Sequence, residues 1–253
     1  MLNAAFWGLI QGLTEFLPVS SSGHLVLIPA LLGVDEPDLA TGAVLHLGTL
    51  IAVIWFYRSD IAGLVRQPLS DHSKRLWTLL VLGTIPAALV GLTLDGPIEI
   101  IFSDPGFVAV ALIATGFVLA LGLVFSPGER TLEDGRRGDA LIVGLAQALA
   151  LIPGVSRSGT TITAGLVQGF SRLEAARYAF LLSIPAIAGA GLIQGIELLD
   201  RGGFEPTLLV GMAVAAITGY LAIDGLVRLL SRSGLAPFAI YCVGFGTLSL
   251  FLV

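Results

Sequence analysis

The sequence predicts an all-α integral membrane protein with six full transmembrane helices plus two re-entrant helical hairpins, arranged as an inverted-topology repeat. Three observations carry that expectation. The chain is 55% apolar and only 12% charged, with a mean hydropathy of +0.93, which is not the balance of a water-soluble domain. A polar break, Pro18-Val19-Ser20-Ser21-Ser22-Gly23-His24, has a partner at Gly154-Val155-Ser156-Arg157-Ser158-Gly159-Thr160. A shift of 136 positions superimposes Gln11 on Gln147, Leu13 on Leu149, Val19 on Val155, Ser20 on Ser156, Ser22 on Ser158 and Gly23 on Gly159. Finally, Lys and Arg concentrate in alternate loops.

The elements follow in order. Residues of about 3 to 32 are apolar but are broken near the middle by the first Ser/Gly segment, so no run reaches the roughly 20 residues that a spanning helix needs. This region predicts a re-entrant hairpin. Its start lacks the basic leader and small-residue cleavage pattern of a signal peptide and is read as mature sequence. Spans are expected at roughly 40 to 57, 76 to 95 and 107 to 125. A second broken region, about 139 to 170, predicts the second hairpin, followed by spans at 177 to 198, 207 to 227 and 236 to 253. Irregular backbone at membrane depth survives only inside protein or beside a wet cavity, so two such breaks predict one shared polar cavity.

The chain therefore reads as a single membrane domain, residues 1–253, with halves of about 1–126 and 137–253. Three spans per half reverse the second half relative to the first, which makes the repeat an inverted one. The loops at 58 to 75, 126 to 139, 171 to 177 and 227 to 235 hold 11 of the Lys and Arg residues, while the opposite side has only Arg201. The positive-inside rule makes the first set cytoplasmic. Both termini and the first hairpin's entry then lie on the outer face, and the second hairpin enters from the cytoplasm.

A re-entrant tip carries helix termini into the membrane interior, where unpaired N–H groups and the positive dipole end attract an anion. Gly23 and Gly159 allow tight turns, and Ser20, Ser21, Ser22, Ser156 and Ser158 can cap a half-helix or donate to phosphate oxygens. Arg157 is the one basic residue inside the apolar layer and needs an anionic partner. That partner is either the phosphate of a ligand, which a planar guanidinium engages bidentately, or Glu15 as a permanent internal pair. Glu15 follows Gln11 by four residues and shares its helix face. As a carboxylate beside a phosphate it repels, unless a divalent cation bridges the two or it acts as a base. His24 ends the polar break and can donate a proton or attack phosphorus.

Other features read as structural. His46 lies within the first full span beside Leu45, Leu47 and Gly48, which suggests a helix-packing position. His72 lies in a charged loop and is expected to be solvated. The single cysteine, Cys242, forms no intrachain disulfide. There is no G-x-x-x-x-G-K-[ST] loop, no H-E-x-x-H pair and no cysteine set for a metal, and the basic residues flank the membrane rather than form a nucleic-acid patch.

The segments Gln11-Gly12-Leu13-Thr14-Glu15-Phe16-Leu17-Pro18-Val19-Ser20-Ser21-Ser22-Gly23-His24 and Pro153-Gly154-Val155-Ser156-Arg157-Ser158-Gly159-Thr160-Thr161 resemble the two hallmark motifs of the undecaprenyl-diphosphate phosphatase family of the BacA type. The similarity extends over nearly the whole chain, including Ile85-Pro86-Ala87 and Pro237-Phe238-Ala239-Ile240-Tyr241. The resemblance implies hydrolysis of a C55-type polyprenyl diphosphate to the monophosphate plus inorganic phosphate. That reaction recycles the lipid carrier for cell-envelope polymers such as peptidoglycan and is linked to bacitracin resistance. It implies a plasma-membrane location with the site open to the outer face. By position, Glu15, Ser21, His24 and Arg157 match the family's principal active-site residues. Ser156, Ser158 and Thr161 match its phosphate-binding loop, to which the repeated segments add Ser20, Ser22, Gly159 and Thr160.

Many members carry glutamate where this chain has Gln11. The divalent cation, Mg²⁺ or Ca²⁺, is then expected on Glu15 with Gln11 and has one fewer carboxylate to bind. Type-2 phosphatidic acid phosphatases share the Ser-Gly-His string, but Thr160, Thr161 and Thr163 stand where their second motif needs a histidine. The nucleophile stays open among Ser21, His24 and water. The alternative function is a polyprenyl-phosphate transporter or flippase using the same central site. The expected partners are a polyprenyl diphosphate lipid and the bilayer. Glycine-rich stretches such as 188 to 195 can pack within or between subunits, leaving a homodimer open.

Overall fold

Every expected span is helical wherever the computed structural model describes the chain, which is residues 1–93, 104–125, 128–200 and 205–253. The helices are α1 (Leu2–Phe16), α2 (Ser21–Leu32), α3 (Leu39–Phe56), α4 (Arg58–Arg66), α5 (Asp71–Thr93) and α6 (Pro105–Val124). After a 3-10 turn at Leu132–Asp134 come α7 (Arg137–Leu149), α8 (Arg157–Val167), α9 (Arg172–Asp200), α10 (Leu208–Ser233) and α11 (Ala236–Leu252). Local sequence explains many of the starts. Asp38 caps α3 by accepting from Thr41 N at 2.8 Å, Asp104 precedes Pro105 and caps α6 at Phe107 N, and Asp139 reaches back to Arg136 N at 2.8 Å in α7. Each satisfies an amide that the first turn leaves without a helical partner.

Among the described residues four helices, α5, α6, α9 and α10, are long and apolar enough to cross a bilayer, and α3 with α4 makes a fifth path bent by 71°. At 17 residues α11 is shorter, near the lower limit of roughly 17–25 for a span. The two broken regions fold as helix pairs, α1 against α2 and α7 against α8. Large apolar side chains face outward on α6 and α11, with Val124 78% and Ile240 75% exposed. So much outward apolar surface suits a lipid solvent and not water.

Three expected loops are instead largely helical. Residues 58 to 66 form α4, because alternating apolar and charged residues give it one face to bury and one to solvate. The 171 to 177 stretch is the start of α9, capped by Ser171 Oγ accepting from Glu174 N, and most of 227 to 235 lies in the last turns of α10. The end of the expected 76 to 95 span, the 1–126 boundary and Arg201 lie outside the described residues.

These basic segments meet in space. Arg177 Nε donates to Asp60 at 2.8 Å, Leu132 N donates to Glu174 at 2.9 Å, and Arg172 packs on Gly234 and faces Leu230 O. His72 pairs with Glu133, so it is not simply solvated. Arg130 adds a link from Phe170 and Gln168 to Asp139.

The opposing core is built on close helix contacts. A Cβ on Gly8 of α1 would lie 2.3 Å from Gly211 O of α10, and one on Gly144 of α7 would lie 2.7 Å from Gly83 O of α5. Only glycine permits backbones to approach this closely. The 136-position shift carries Gly8 onto Gly144 and Gly83 onto Gly219, and α1 packs on α10 as α7 packs on α5.

Candidate active site

The two breaks are the same local structure written twice. Ser20 Oγ accepts from Gly23 N at 3.2 Å and starts α2, and Ser156 Oγ accepts from Gly159 N at 3.1 Å and starts α8. Ser20 also meets Ser22 at 3.2 Å, as Ser156 meets Ser158 at 3.3 Å. Both serines thus cap their own helices, and the remaining free N–H groups of each first turn leave a partial positive charge. The bends differ. Ser20 itself has φ 66°, a left-handed conformation that costs a non-glycine residue of order 1–3 kcal/mol. In the second break Gly154 takes the positive φ, 87°, where a Cβ would meet Val108 O at 2.4 Å.

The tips touch. A Cβ on Gly23 would be 3.4 Å from Gly154 Cα, and Ser158 Oγ donates to Leu17 O at 3.0 Å. Thr115 of α6 pins the second tip, donating to Gly154 O at 3.0 Å and accepting from Ser156 N at 3.1 Å.

Between the tips lies a cavity of about 180 Å³. Its polar wall is Glu15, Ser20, Ser21, Ser22, His46, Ser156 and Arg157, and α9 contributes an apolar wall from Ala186, Ile187 and Ala190. Arg157 and Glu15 form an ion pair across the two hairpins. The other Glu15 oxygen, Oε2, accepts from Ser21 Oγ at 2.5 Å and Gln11 Nε2 at 3.0 Å. Arg157 also donates to Ser183 O at 3.3 Å. These two bonds use two of the guanidinium's five N–H donors, so the side chain keeps capacity for an anion.

The expected residues divide into two groups. Glu15, Ser20, Ser21, Ser22, Ser156 and Arg157 share the cavity, while Ser158, Gly159, Thr160 and Thr161 brace it. Thr160 Oγ1 donates to Ser156 O at 2.9 Å and Thr161 Oγ1 to Arg157 O at 2.6 Å. His24 stands apart. It is buried, its Nδ1 meets Ser20 O at 2.8 Å, its Nε2 meets Tyr241 OH at 2.7 Å, and its ring stacks on Phe245. The imidazole on the cavity is His46, whose Nδ1 donates to Gly42 O at 2.8 Å and whose Nε2 lies 3.9 Å from Glu15 Oε2. The packing role inferred from its neighbours falls to Gly48 and Leu45, which face α10 and the core, while His46 turns the other way. Its standing as an ionisable group within a span was the available signal. Thr115 acts across a long sequence separation and carried none, while Tyr241 was visible only within the family-like segment Pro237-Phe238-Ala239-Ile240-Tyr241.

Among the described residues no three His, Cys, Asp or Glu side chains converge as a metal cage. Among the described residues Glu15 is the one carboxylate on the cavity wall, and Gln11 Oε1, buried beside it, has no hydrogen-bond partner among them. A single carboxylate with a spare amide oxygen fits a cation shared with substrate phosphates, the usual mode for Mg²⁺, and not an all-protein site.

A family model described as bacitracin resistance protein BacA matches residues 4–248. The chain is 45% identical over 270 residues to the undecaprenyl-diphosphatase of Thermomicrobium roseum, covering 99% of this chain and 97% of that protein. It is 46% identical over 252 residues to the undecaprenyl-diphosphatase of Geobacter sulfurreducens, covering 95% and 94%. It is 42% identical over 270 residues to that of Methanosphaera stadtmanae, covering 100% and 98%.

Proposed function

The chain belongs to the bacitracin resistance protein BacA family, and from that premise we infer that it hydrolyses undecaprenyl diphosphate to the monophosphate and inorganic phosphate. It is an enzyme and a multi-pass membrane protein. The observation that carries the mechanism is the junction of Arg157, Glu15 and Ser21 on one cavity walled by two helix N-termini. Arg157 and the free first-turn N–H groups bind the terminal phosphate and spread the charge that grows on its equatorial oxygens. The hydrogen bond from Ser21 Oγ to Glu15 sets a base on that hydroxyl and supports Ser21 as the attacking group. Glu15 takes the Ser21 proton as the O–P bond forms, the bridging P–O bond breaks, and the polyprenyl monophosphate leaves with the electron pair. Water then releases phosphate from Ser21. Direct attack by water oriented on Glu15 is the competing order of events; His24, for which the family resemblance implies acid-base function, stands behind the first tip with its ring nitrogens at Ser20 O and Tyr241 OH.

A divalent cation, Mg²⁺ or Ca²⁺, is proposed on Glu15, with Gln11 adjoining it. When bound it neutralises diphosphate charge that Glu15 otherwise repels. The cation's one protein carboxylate makes its affinity depend on the substrate.

The finer architecture is also proposed: a single domain of six spans and two re-entrant hairpins in inverted halves, set in the plasma membrane with both termini and the cavity toward the outer face. Its support is the meeting of the basic segments, which draws Arg177 to Asp60 and Arg172 to the end of α10 at one end of the helices, as the positive-inside rule expects of the cytoplasmic side. A homodimer is proposed on α9, where Gly189 faces open space. The transport alternative gains no support from the relatives above, which are named for hydrolysis.

The test is inorganic phosphate release from C15 to C55 isoprenyl diphosphates by purified protein in detergent, with and without Mg²⁺ or Ca²⁺. Cation-dependent release is expected. Folded protein that binds the lipid and releases no phosphate would return the site to transport.

A further inference from the structure

The two oxygens of Glu15 serve different neighbours. Arg157 pairs with Oε1, while Oε2 faces His46 Nε2 across the cavity at 3.9 Å. That separation is too long for a hydrogen bond, yet two donors on one metal ion, each at about 2.0–2.2 Å, can lie up to about 4.4 Å apart. The imidazole is prepared for such a role. Its Nδ1 meets Gly42 O at 2.8 Å, and a carbonyl only accepts, so Nδ1 carries the proton and in the neutral ring Nε2 keeps its lone pair. A ring N–H on a backbone carbonyl is a usual way of orienting a ligating histidine. The helix beneath is fixed as well, since a Cβ on Gly48 would lie 2.4 Å from Met212 O of α10. Gln11 supplies a second observation. It is 0% exposed, its Oε1 has no partner among the described residues, and its Nε2 lies 3.0 Å from Glu15 Oε2. Turning the amide over exchanges its two ends, and about 3.0 Å is the spacing of adjacent oxygens on an octahedral ion with bonds of about 2.1 Å. The same turn takes a competing donor off Oε2 and gives the orphaned oxygen a partner.

We propose that His46 Nε2 is a protein ligand of the divalent cation, beside Glu15 Oε2 and the carbonyl end of Gln11, with phosphate oxygens of the substrate completing the shell. The proposal rests on the reading of Glu15 as the cation's carboxylate. A nitrogen ligand changes which ion the cavity prefers. Imidazole suits first-row transition ions, whereas Mg²⁺ and Ca²⁺ take oxygen, so the site ranks Mn²⁺ above both. Arg157 stays on Oε1, and a diphosphate bridging guanidinium and cation offsets their mutual repulsion.

The experiment uses tag-free protein in detergent, with and without ¹⁵N-histidine labelling, loaded with Mn²⁺ and methylenediphosphonate, a diphosphate that cannot be hydrolysed. Pulsed EPR reads histidine nitrogen on the bound Mn²⁺ directly and needs no turnover. Wild type and His72→Gln should show the coupling of one histidine nitrogen, and His46→Gln should lose it while staying folded and monodisperse. Displacing the bound Mn²⁺ should need at least about 10-fold less Mg²⁺ in His46→Gln than in wild type, since even loss of a ligand's hydrogen-bonding partner weakens metal affinity that much. Bound Mn²⁺ without a histidine coupling, or a coupling that survives His46→Gln, overturns the role of His46 alone. No bound Mn²⁺ in wild type removes the cation reading and the ligand together. Coupling in a protein that releases no phosphate from farnesyl diphosphate would keep the ligand and overturn the hydrolysis instead.

Discussion

Arg157 and Glu15, 142 positions apart, form an ion pair that joins the tips of the two hairpins. Each side chain is mostly buried, 18% and 5% exposed, so each is the other's main compensation for leaving water. The pair is the point where the two diverged copies of one segment become complementary, since the 136-position shift carries Ser21 onto Arg157 and sets an acid-bonded hydroxyl opposite a guanidinium.

Arg157→Ala should lower phosphate release by at least about 100-fold, the usual cost of losing a donor to transition-state charge. Arg157→Lys should recover only part of it, because an ammonium cannot present the planar fork. The readout is phosphate release by folded protein; wild-type turnover in Arg157→Ala would remove the guanidinium from the mechanism.

Stability and catalysis should separate at the same pair. Glu15→Gln leaves Arg157 buried without a counter-charge and should cost about 3–5 kcal/mol, whereas Glu15→Gln with Arg157→Gln should be more stable than either single variant and remain inactive. Thermal unfolding in detergent together with phosphate release tests both halves. A double variant less stable than both singles would mean that the pair is a net stabiliser.

Gln11→Glu should lower the Mg²⁺ or Ca²⁺ concentration needed for half-maximal activity. The unpartnered Oε1 beside Glu15 becomes a second anionic oxygen at a site that otherwise holds a single carboxylate. A cation titration of both proteins decides it, and an unchanged midpoint would place the cation away from residue 11.

Gly8→Val should prevent correct packing of α1 on α10, since even a Cβ there would lie 2.3 Å from Gly211 O, while Gly189→Ala, with open space around it, should leave the fold intact. Overpacking of this kind costs roughly 1–3 kcal/mol or more. The comparison is the yield of monodisperse protein and its unfolding midpoint.

Much of this was legible because it is local. The break positions follow from serines that cap amides three residues ahead, Ser20 to Gly23 and Ser156 to Gly159, and such contacts are written in adjacent residues. The apolar helices α5, α6, α9 and α10, which are long and apolar enough to cross a bilayer, follow from hydropathy alone. The stretch 58 to 66 reads as a loop in sequence because its charges hide an amphipathic helix that apolar run length does not reveal. The sequence neighbours of His46 suggest a packing position, yet residues beside each other on a helix point about 100° apart, so Leu45 and Gly48 pack while His46 faces the cavity.

The sequence by itself determined the solvent, the helical character of the apolar stretches and the two polar breaks, because each depends on composition or on contacts within one helical turn. Only the tertiary structure decided which of the candidate residues meet. It joined Arg157 to Glu15, set Ser21 on the same carboxylate, and turned His24 away to Tyr241. Such partnerships depend on which helix faces which, and that is settled by close packing of glycine surfaces such as Gly8 on Gly211, far apart in the chain and invisible to any local pattern.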